Sequence, residues 1–215
     1  GTYLMPRMIG LLRQKYPDVA VQLQAPSPRR TGWSVANGQI DLAIIGGELP
    51  LELKELLQVV PYASDELALV LPVKHPLARL PELTKEDLYR LGFVCLDTQS
   101  TTRKMVDQLL ARSGLDVHRL RIEMELNSLE AIKNAVQAGL GAAFVPVVSI
   151  ERELAAGTIH RPPVVDLQVR RQLKLITHPA RYSSRASAAF RLDVLPVFAS
   201  ADSPLRQNQS AGDQN

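Results

Sequence analysis

The sequence predicts an α/β fold of two lobes joined by two crossover strands. Three observations predict it. Segments of period-2 apolar alternation are interleaved with segments of helical spacing. The same strand-to-strand offset recurs in the two halves, Val19 to Asp41 and Leu120 to Ala142 each lying 22 positions apart. Two further apolar strands, Glu66–Pro72 and Gln172–Thr177, stand outside this repeat, and each runs into a His-Pro pair, His75-Pro76 and His178-Pro179.

Taken in order, Leu4, Met5, Met8, Leu11 and Leu12 mark a first helix over Thr2–Lys15. It stops before Tyr16-Pro17, because the residue preceding a proline is pushed out of helical geometry. Val19, Val21 and Leu23 alternate with Ala20, Gln22 and Gln24, the pattern of a strand, which Pro26-Ser27-Pro28 interrupts. A short helix over Thr31–Asn37 ends at Gly38, and Asp41–Gly47 reads as a buried parallel strand entering a glycine turn. In the second half Phe93–Leu96 is a strand and Met105, Val106, Leu109 and Leu110 mark a helix ending at Ser113-Gly114. Leu120, Ile122, Met124 and Leu126 alternate in a further strand. Leu129, Ile132, Ala135 and Val136 line a helix that ends near Gly139, and Gly141–Pro146 closes the unit. Ser184–Phe198 is a last amphipathic helix.

If Glu66–Pro72 carries the chain out of the first lobe and Gln172–Thr177 returns it, lobe one spans 1–68 and 172–200 and lobe two spans 69–171. Residues 201–215 are Ser, Gln, Asn, Asp and Gly with little that is apolar, the composition of a disordered tail. Two such lobes face each other across a cleft, and open α/β sheets take ligands at the carboxyl ends of their strands. The chain begins on helical spacing at Gly1 without a secretory leader, and is expected to be a fragment preceded by a further N-terminal part.

Composition narrows the function. The 215 residues are 46% hydrophobic and 22% charged, ordinary for a globular protein, and the 25 Lys+Arg against 22 Asp+Glu leave a charge of only +3. Both signs are scattered and there is no basic stripe with aromatic platforms, so any contact with DNA is expected through another part of the protein. The single cysteine, Cys95, excludes an internal disulfide framework and a cysteine zinc knuckle. No apolar run approaches the ~18 residues of a membrane span, so no membrane partner is expected.

No catalytic constellation emerges. Gly32-Trp33-Ser34-Val35-Ala36 lacks the last glycine of a nucleophile elbow and lies inside a predicted helix. Gly139-Leu140-Gly141 leaves a helix and enters a strand, the reverse of a dinucleotide loop, and reads as a helix cap. His75, His118, His160 and His178 lack metal-ligand spacing, and the two before prolines read as turn residues. Cys95 sits between Val94 and Leu96, where a thiol is buried and inert. No cofactor, metal or catalytic residue is assigned.

The strongest polar signal is Asp97-Thr98-Gln99-Ser100-Thr101-Thr102-Arg103, which follows a buried strand and opens a helix. Unpaired N–H groups at a helix start bind anions, and Gln99, Ser100, Thr101, Thr102 and Arg103 would add donors; capping alone explains one of these hydroxyls. Asn127-Ser128 holds the equivalent place at the next strand-to-helix junction, where Asn127 with Glu130 could form a capping box. Ser27, Arg29 and Arg30 follow the first-lobe strand, and the helix starting near Thr2 offers another positive dipole end. Donors thus gather at strand ends in both halves, and the natural ligand is a small anion charged at both ends.

Four segments in this order and spacing resemble the effector-binding domain of LysR-type transcriptional regulators, over about residues 1–198. They are Gly1-Thr2-Tyr3-Leu4-Met5-Pro6 with Tyr16-Pro17, Gly38-Gln39-Ile40-Asp41-Leu42-Ala43-Ile44, Asp65-Glu66-Leu67-Ala68-Leu69-Val70 with His75-Pro76-Leu77, and Gly139-Leu140-Gly141-Ala142-Ala143-Phe144-Val145-Pro146. Residues 29–38 and 123–134 look like the CmpR, RbcR and CbbR branch, which controls carbon fixation and inorganic-carbon uptake. The resemblance implies two Rossmann-like lobes of the type 2 periplasmic-binding-protein-like class and a cytoplasmic ligand sensor, not an enzyme. It implies a phosphorylated effector, ribulose bisphosphate or phosphoglycolate, at Thr2, Ser27, Thr101, Thr102, Asn127 and Ser128. It further implies a homodimer of this domain, a homotetramer when intact, and DNA binding through an N-terminal winged helix-turn-helix that this chain does not include. The family begins this domain with a β-strand that has no counterpart from Gly1 onward. An extracytoplasmic solute-binding protein for a small anion shares the two-lobe plan and is the alternative; an enzyme on this fold would need a cofactor-bearing cysteine or an acid/base pair.

Overall fold

The structure, a computed structural model, describes residues 4–24 and 26–199. The expected helix start at Thr2 and the expected tail over 201–215 lie outside the described residues. In chain order the elements are α1 (Leu4–Lys15), α2 (Pro28–Ala36), β1 (Leu42–Ile45), α3 (Leu51–Leu56), β2 (Gln58–Pro72), α4 (Lys85–Leu88), β3 (Gly92–Leu96) and α5 (Thr101–Arg112). There follow β4 (Arg121–Leu126), α6 (Leu129–Gln137), β5 (Ala143–Pro146), α7 (Glu151–Ala155), β6 (Ile159–His160), β7 (Val169–Thr177), α8 (Arg185–Ala189), a π-helical segment (Phe190–Val194) and α9 (Leu195–Phe198). None of these helices is long and apolar enough to cross a membrane.

The chain forms two compact units, one of residues 1–64 with 172–215 and one of residues 65–171. β2 and β7 each run through the boundary. Arg171 donates to Asp65 Oδ2 from Nε at 2.8 Å and from Nη2 at 2.5 Å, a buried charge-assisted fork on adjacent crossover strands.

In the first unit β1 pairs antiparallel with β7, from Leu42↔Thr177 to Ile45↔Lys174. One core forms where α1 lays Met8 and Leu12 against Tyr62, Leu173, Leu175, Val194 and Leu195. Tyr62 is fully buried and its hydroxyl donates to the Leu195 carbonyl at 3.0 Å, so burial of this ring leaves no polar atom unpaired. Asp193 holds the end of α1 by accepting from Lys15 Nζ at 2.5 Å and from the Tyr16 hydroxyl. A second core joins Val35, Ile45, Leu53, Leu57 and Ile176.

Three expectations for this unit are corrected. Residues 19–24 form no strand: Val19 and Val21 are half-buried against the α1 core and Ala20 and Gln22 are exposed, yet none of the described residues pairs with them. Alternation decides which side chains face a core, whereas a strand also needs a neighbour to complete its hydrogen bonds. β1 is paired antiparallel where a parallel strand was expected, since an apolar run reports burial but not the direction of its neighbour. α2 begins at Pro28 and not Thr31, because Ser27 caps it and proline at the first helical position needs no N–H partner.

In the second unit β2 pairs antiparallel with β5, from Leu67↔Pro146 to Val70↔Ala143, and with β6 at Leu71↔His160. β3 and β4 are parallel, and β3 also bridges Ala142 through Val94 N to Ala142 O and Ala142 N to Gly92 O, both 2.8 Å. This approach explains Gly141: a Cβ there would lie 2.8 Å from the Gly92 carbonyl oxygen. Leu69, Leu71, Leu83, Leu88, Leu91, Phe93 and Leu110 form one core, with Phe93 stacked on Phe144 at 5.8 Å; Val94, Ile132, Val136, Val145 and Ile150 form another. α6 ends in a Schellman motif, with Gly139 N bonded to Val136 O and Leu140 N to Ala135 O and Gly139 at φ 85°. Gly139-Leu140-Gly141 is thus the cap its position in the sequence predicts.

Candidate anion site

The second unit places two helix starts side by side. β3 and β4 run parallel with Leu96 opposite Leu126, so both chains leave the sheet at the same end and each enters a helix within a few residues. Asp97 N donates to Leu126 O at 3.1 Å, tying the two corners together. At the first corner Asp97 Oδ1 accepts from Gln99 N at 2.9 Å, and Ser100 caps α5 with Oγ accepting from Arg103 N at 3.4 Å. At the second, Ser128 caps α6 with Oγ accepting from Ala131 N at 3.2 Å. The capping residue is therefore Ser128, and the Asn127–Glu130 box expected from the sequence does not form; Glu130 pairs with Lys133 at 3.0 Å.

This arrangement can hold an anion. The amides of Thr101 and Thr102, and of Leu129, lie at the starts of their helices, where no intrahelical acceptor exists. A capping serine accepts through a lone pair and keeps its own O–H to donate. Two neighbouring helices therefore offer three amides and two hydroxyls, together with two positive dipole ends.

The sequence-derived residues that the structure describes fall into three sets. Gln99, Ser100, Thr101, Thr102, Asn127 and Ser128 come together at these corners, with Thr102, Asn127 and Ser128 exposed. Arg103 lies beside them but is turned inward, donating from Nε to Asp107 at 2.8 Å and from Nη1 to Leu96 O at 3.0 Å and to Cys95 Sγ, with Glu125 at 3.8 Å. Its charge is met by two carboxylates, and it braces the corner. Ser27 and Arg29 belong to the first unit, where Ser27 Oγ accepts from Arg30 N at 3.4 Å and Arg29 is exposed. Thr2 lies outside the described residues. The amide of Leu129 was missed because its side chain carries no signal of the role; only the helix start does.

Other candidates resolve as structural parts. Burial pushes the Cys95 thiol up to about 11, despite the opposing Arg103 charge. His75 Nδ1 accepts from Leu77 N and His178 Nδ1 from Ala180 N, both at 3.2 Å, so each imidazole holds the turn ahead of its proline. Ser34 lies inside α2, away from any strand-to-helix turn. Among the described residues no cluster of His, Cys, Asp and Glu could hold a metal ion.

Comparison with known proteins extends this picture. Residues 1–198 match the LysR substrate binding domain. Over 198 residues the chain is 62% identical to a probable RuBisCO transcriptional regulator of Synechocystis sp., covering 92% of this chain and 57% of that protein. A protein of the same description from Porphyra purpurea is 55% identical over 214 residues, covering 100% of this chain and 66% of that one. This chain thus spans somewhat less than two thirds of the length of these curated relatives. Among solved structures, the Synechocystis PCC6803 CcmR regulatory domain in complex with 2-PG is similar with a TM-score of 0.75 and 25% identity over 92% of both chains. The cofactor-binding domain of the Cbl transcriptional regulator shares the fold, with a TM-score of 0.72 over 99% of this chain and 89% of that one at 21% identity. The mixed α/β architecture is of the type 2 periplasmic-binding-protein-like class. By sequence and by fold, this chain belongs to the LysR substrate-binding domain family.

Proposed function

We propose that this chain senses a small phosphorylated acid for a transcription regulator of carbon-fixation genes, and that the effector's phosphate sits on the paired helix starts of α5 and α6. The observation that carries the reading is that pairing: unsatisfied amides and two serine hydroxyls on adjacent corners of a parallel strand pair suit an oxyanion of two negative charges. The relatives described as RuBisCO regulators support the process, and the likeness to a regulatory domain bound to 2-phosphoglycolate supports the ligand class. 2-Phosphoglycolate and ribulose bisphosphate are the leading candidates. In this reading Gln99, Ser100, Thr101, Thr102, Asn127 and Ser128 bind the phosphate and Arg103 positions their corner.

The intact regulator would act on DNA in the cytoplasm through a further domain, with this domain paired as a homodimer and the whole protein a homotetramer. The apolar side chains of Ile122 and Met124, each 37% exposed on edge strand β4, support pairing with a second copy. The effector shifts the regulator only by its difference in affinity for two states.

A thermal-shift screen against 2-phosphoglycolate, ribulose bisphosphate, 2-oxoglutarate and inorganic phosphate tests this. At ligand ~100 times the dissociation constant, one-site linkage gives about 2.7 kcal/mol, a rise of roughly 5–11 °C for a domain of this size. A rise with a phosphorylated acid and none with phosphate alone is the expected result. No rise with either phosphorylated acid removes the reading.

A further inference from the structure

A cavity of about 460 Å³ lies wholly within the first unit, and among the residues lining it are Asp41, Gln58, His178, Arg181, Tyr182 and Arg191. They come from four separate stretches of chain: the turn from α2 into β1, the start of β2, the segment after β7, and the π-helical segment. Its volume suits a metabolite of a few carbons.

The charges in this cavity are out of balance. Four half-buried or buried cations elsewhere meet carboxylates: Arg103 meets Asp107, Lys133 meets Glu153, Arg171 meets Asp65 and Lys174 meets Glu48. Arg181 and Arg191 form no ion pair among the described residues, although a carboxylate, Asp41, lines the same cavity. Asp41 is committed elsewhere. Its Oδ2 accepts from Ser184 N at 2.9 Å and Ser184 Oγ at 2.5 Å, and these bonds hold its carboxyl below the usual aspartate range. The lining thus carries two arginines against one carboxylate, and Asp41, though ionised, forms no ion pair with either among the described residues.

The site is also pre-shaped. Gly38 ends α2 at φ 72°, and the Arg181 guanidinium lies directly against it: a Cβ there would collide with Nη1 and stand 2.9 Å from Cζ. Arg181 thus lays its guanidinium on the Gly38 backbone while its side chain stays exposed. His178 Nδ1 accepts from Ala180 N, which leaves the Nε2 proton as a donor in the neutral ring. Gln58 Oε1 accepts from Thr177 Oγ1 at 3.4 Å, leaving the Gln58 amide as a further donor. Arg191 stands on a π-helical turn, a departure from α-helix that is frequent at functional sites.

We infer that this cavity is a second anion-binding site, separate from the α5–α6 corners, which takes a small oxyanion, phosphate or carboxylate, between Arg181 and Arg191. It does not depend on the phosphorylated-effector reading, since all its residues lie in the first unit. The test is an amide chemical-shift titration of the ¹⁵N-labelled chain with inorganic phosphate and, separately, with malonate, at ionic strength matched with sodium chloride. Saturable shifts at Gly38, Ile40, Ala180 and Ser183 are expected with at least one anion; phosphate alone or malonate alone identifies the source of the oxyanion. Arg181→Gln and Arg191→Gln, both at exposed side chains, should each weaken binding by roughly tenfold. Ser128→Asp, in the other unit, should leave these four signals and their affinity as they are. Shifts no larger than those with sodium chloride, or the same affinity in the arginine double variant, overturn the assignment.

Discussion

Replacing Ser128 by aspartate should separate the stability of α6 from anion binding, and drive the two apart. Ser128 performs two tasks on one atom: Oγ accepts the Ala131 N–H at 3.2 Å, and the O–H remains to donate. Aspartate is as good a helix cap as serine and adds a negative charge beside the positive dipole end, so Ser128→Asp should leave stability within about 0.5 kcal/mol. Ser128→Ala, which removes the acceptor, should cost about 1 kcal/mol, or roughly 2–4 °C in Tm. For binding the order reverses. Alanine loses one hydrogen bond to a charged ligand, about 1.5–3 kcal/mol, and binds at least about tenfold more weakly. Aspartate loses that donor and adds like-charge repulsion of about 1–4 kcal/mol at ~4 Å, between the limits of bulk water and a protein surface. Its combined loss is at least about fiftyfold. Melting without ligand and titration calorimetry with 2-phosphoglycolate read the two quantities independently. If Ser128→Asp melts normally and binds within about threefold of the unsubstituted chain, the α6 corner does not hold the phosphate.

Three further outcomes follow from the geometry. Gly139→Ala places a side chain at φ 85° in otherwise open space, so backbone strain alone should cost about 1–2 kcal/mol in a urea titration, while a cost near zero would mean the Schellman turn relaxes. Cys95, with its thiol pushed up to about 11, should label far more slowly with iodoacetamide at pH 8 than free cysteine does, and labelling at the free-thiol rate contradicts the burial argument. Asp41 has a folded pKa below its ordinary 3.8, so the unfolded chain binds the proton first. Its stabilisation is complete above that value and is lost as pH falls through the lowered one; Ser184→Ala should flatten this acid limb, and an unchanged limb would refute the role of the Ser184 bonds.

Much of the second unit was legible because each element there carries its own signal. β3, α5, β4, α6 and β5 fall where alternation, helical spacing and the terminal glycine place them. α6 runs from a serine cap to Gly139 as the local chemistry dictates. The first unit was harder to read because its features depend on partners distant in sequence. Val19 and Val21 face a core without joining a ladder, and the direction of β1 is settled by β7, more than 120 residues later. β2 begins at Gln58 and not Glu66, since the stretch through Pro61 and Tyr62 is held by neighbours and not by a period-2 pattern. At the α5–α6 corners the hydroxyl cluster was visible in the sequence. The inward commitment of Arg103 was not, because it depends on Asp107, Glu125 and the Leu96 carbonyl meeting in space. The cavity around Arg181 left no trace at all: four short segments build it, and none of them is a motif.

The central claim is that the starts of α5 and α6 together hold the phosphate of an effector. Its most direct test is the amide spectrum of the ¹⁵N-labelled chain titrated with 2-phosphoglycolate. Thr101, Thr102 and Leu129 should shift together along one saturation curve, because their N–H groups would acquire a single shared acceptor. Saturable binding that leaves these three amides unmoved, or moves those of one helix only, contradicts the account.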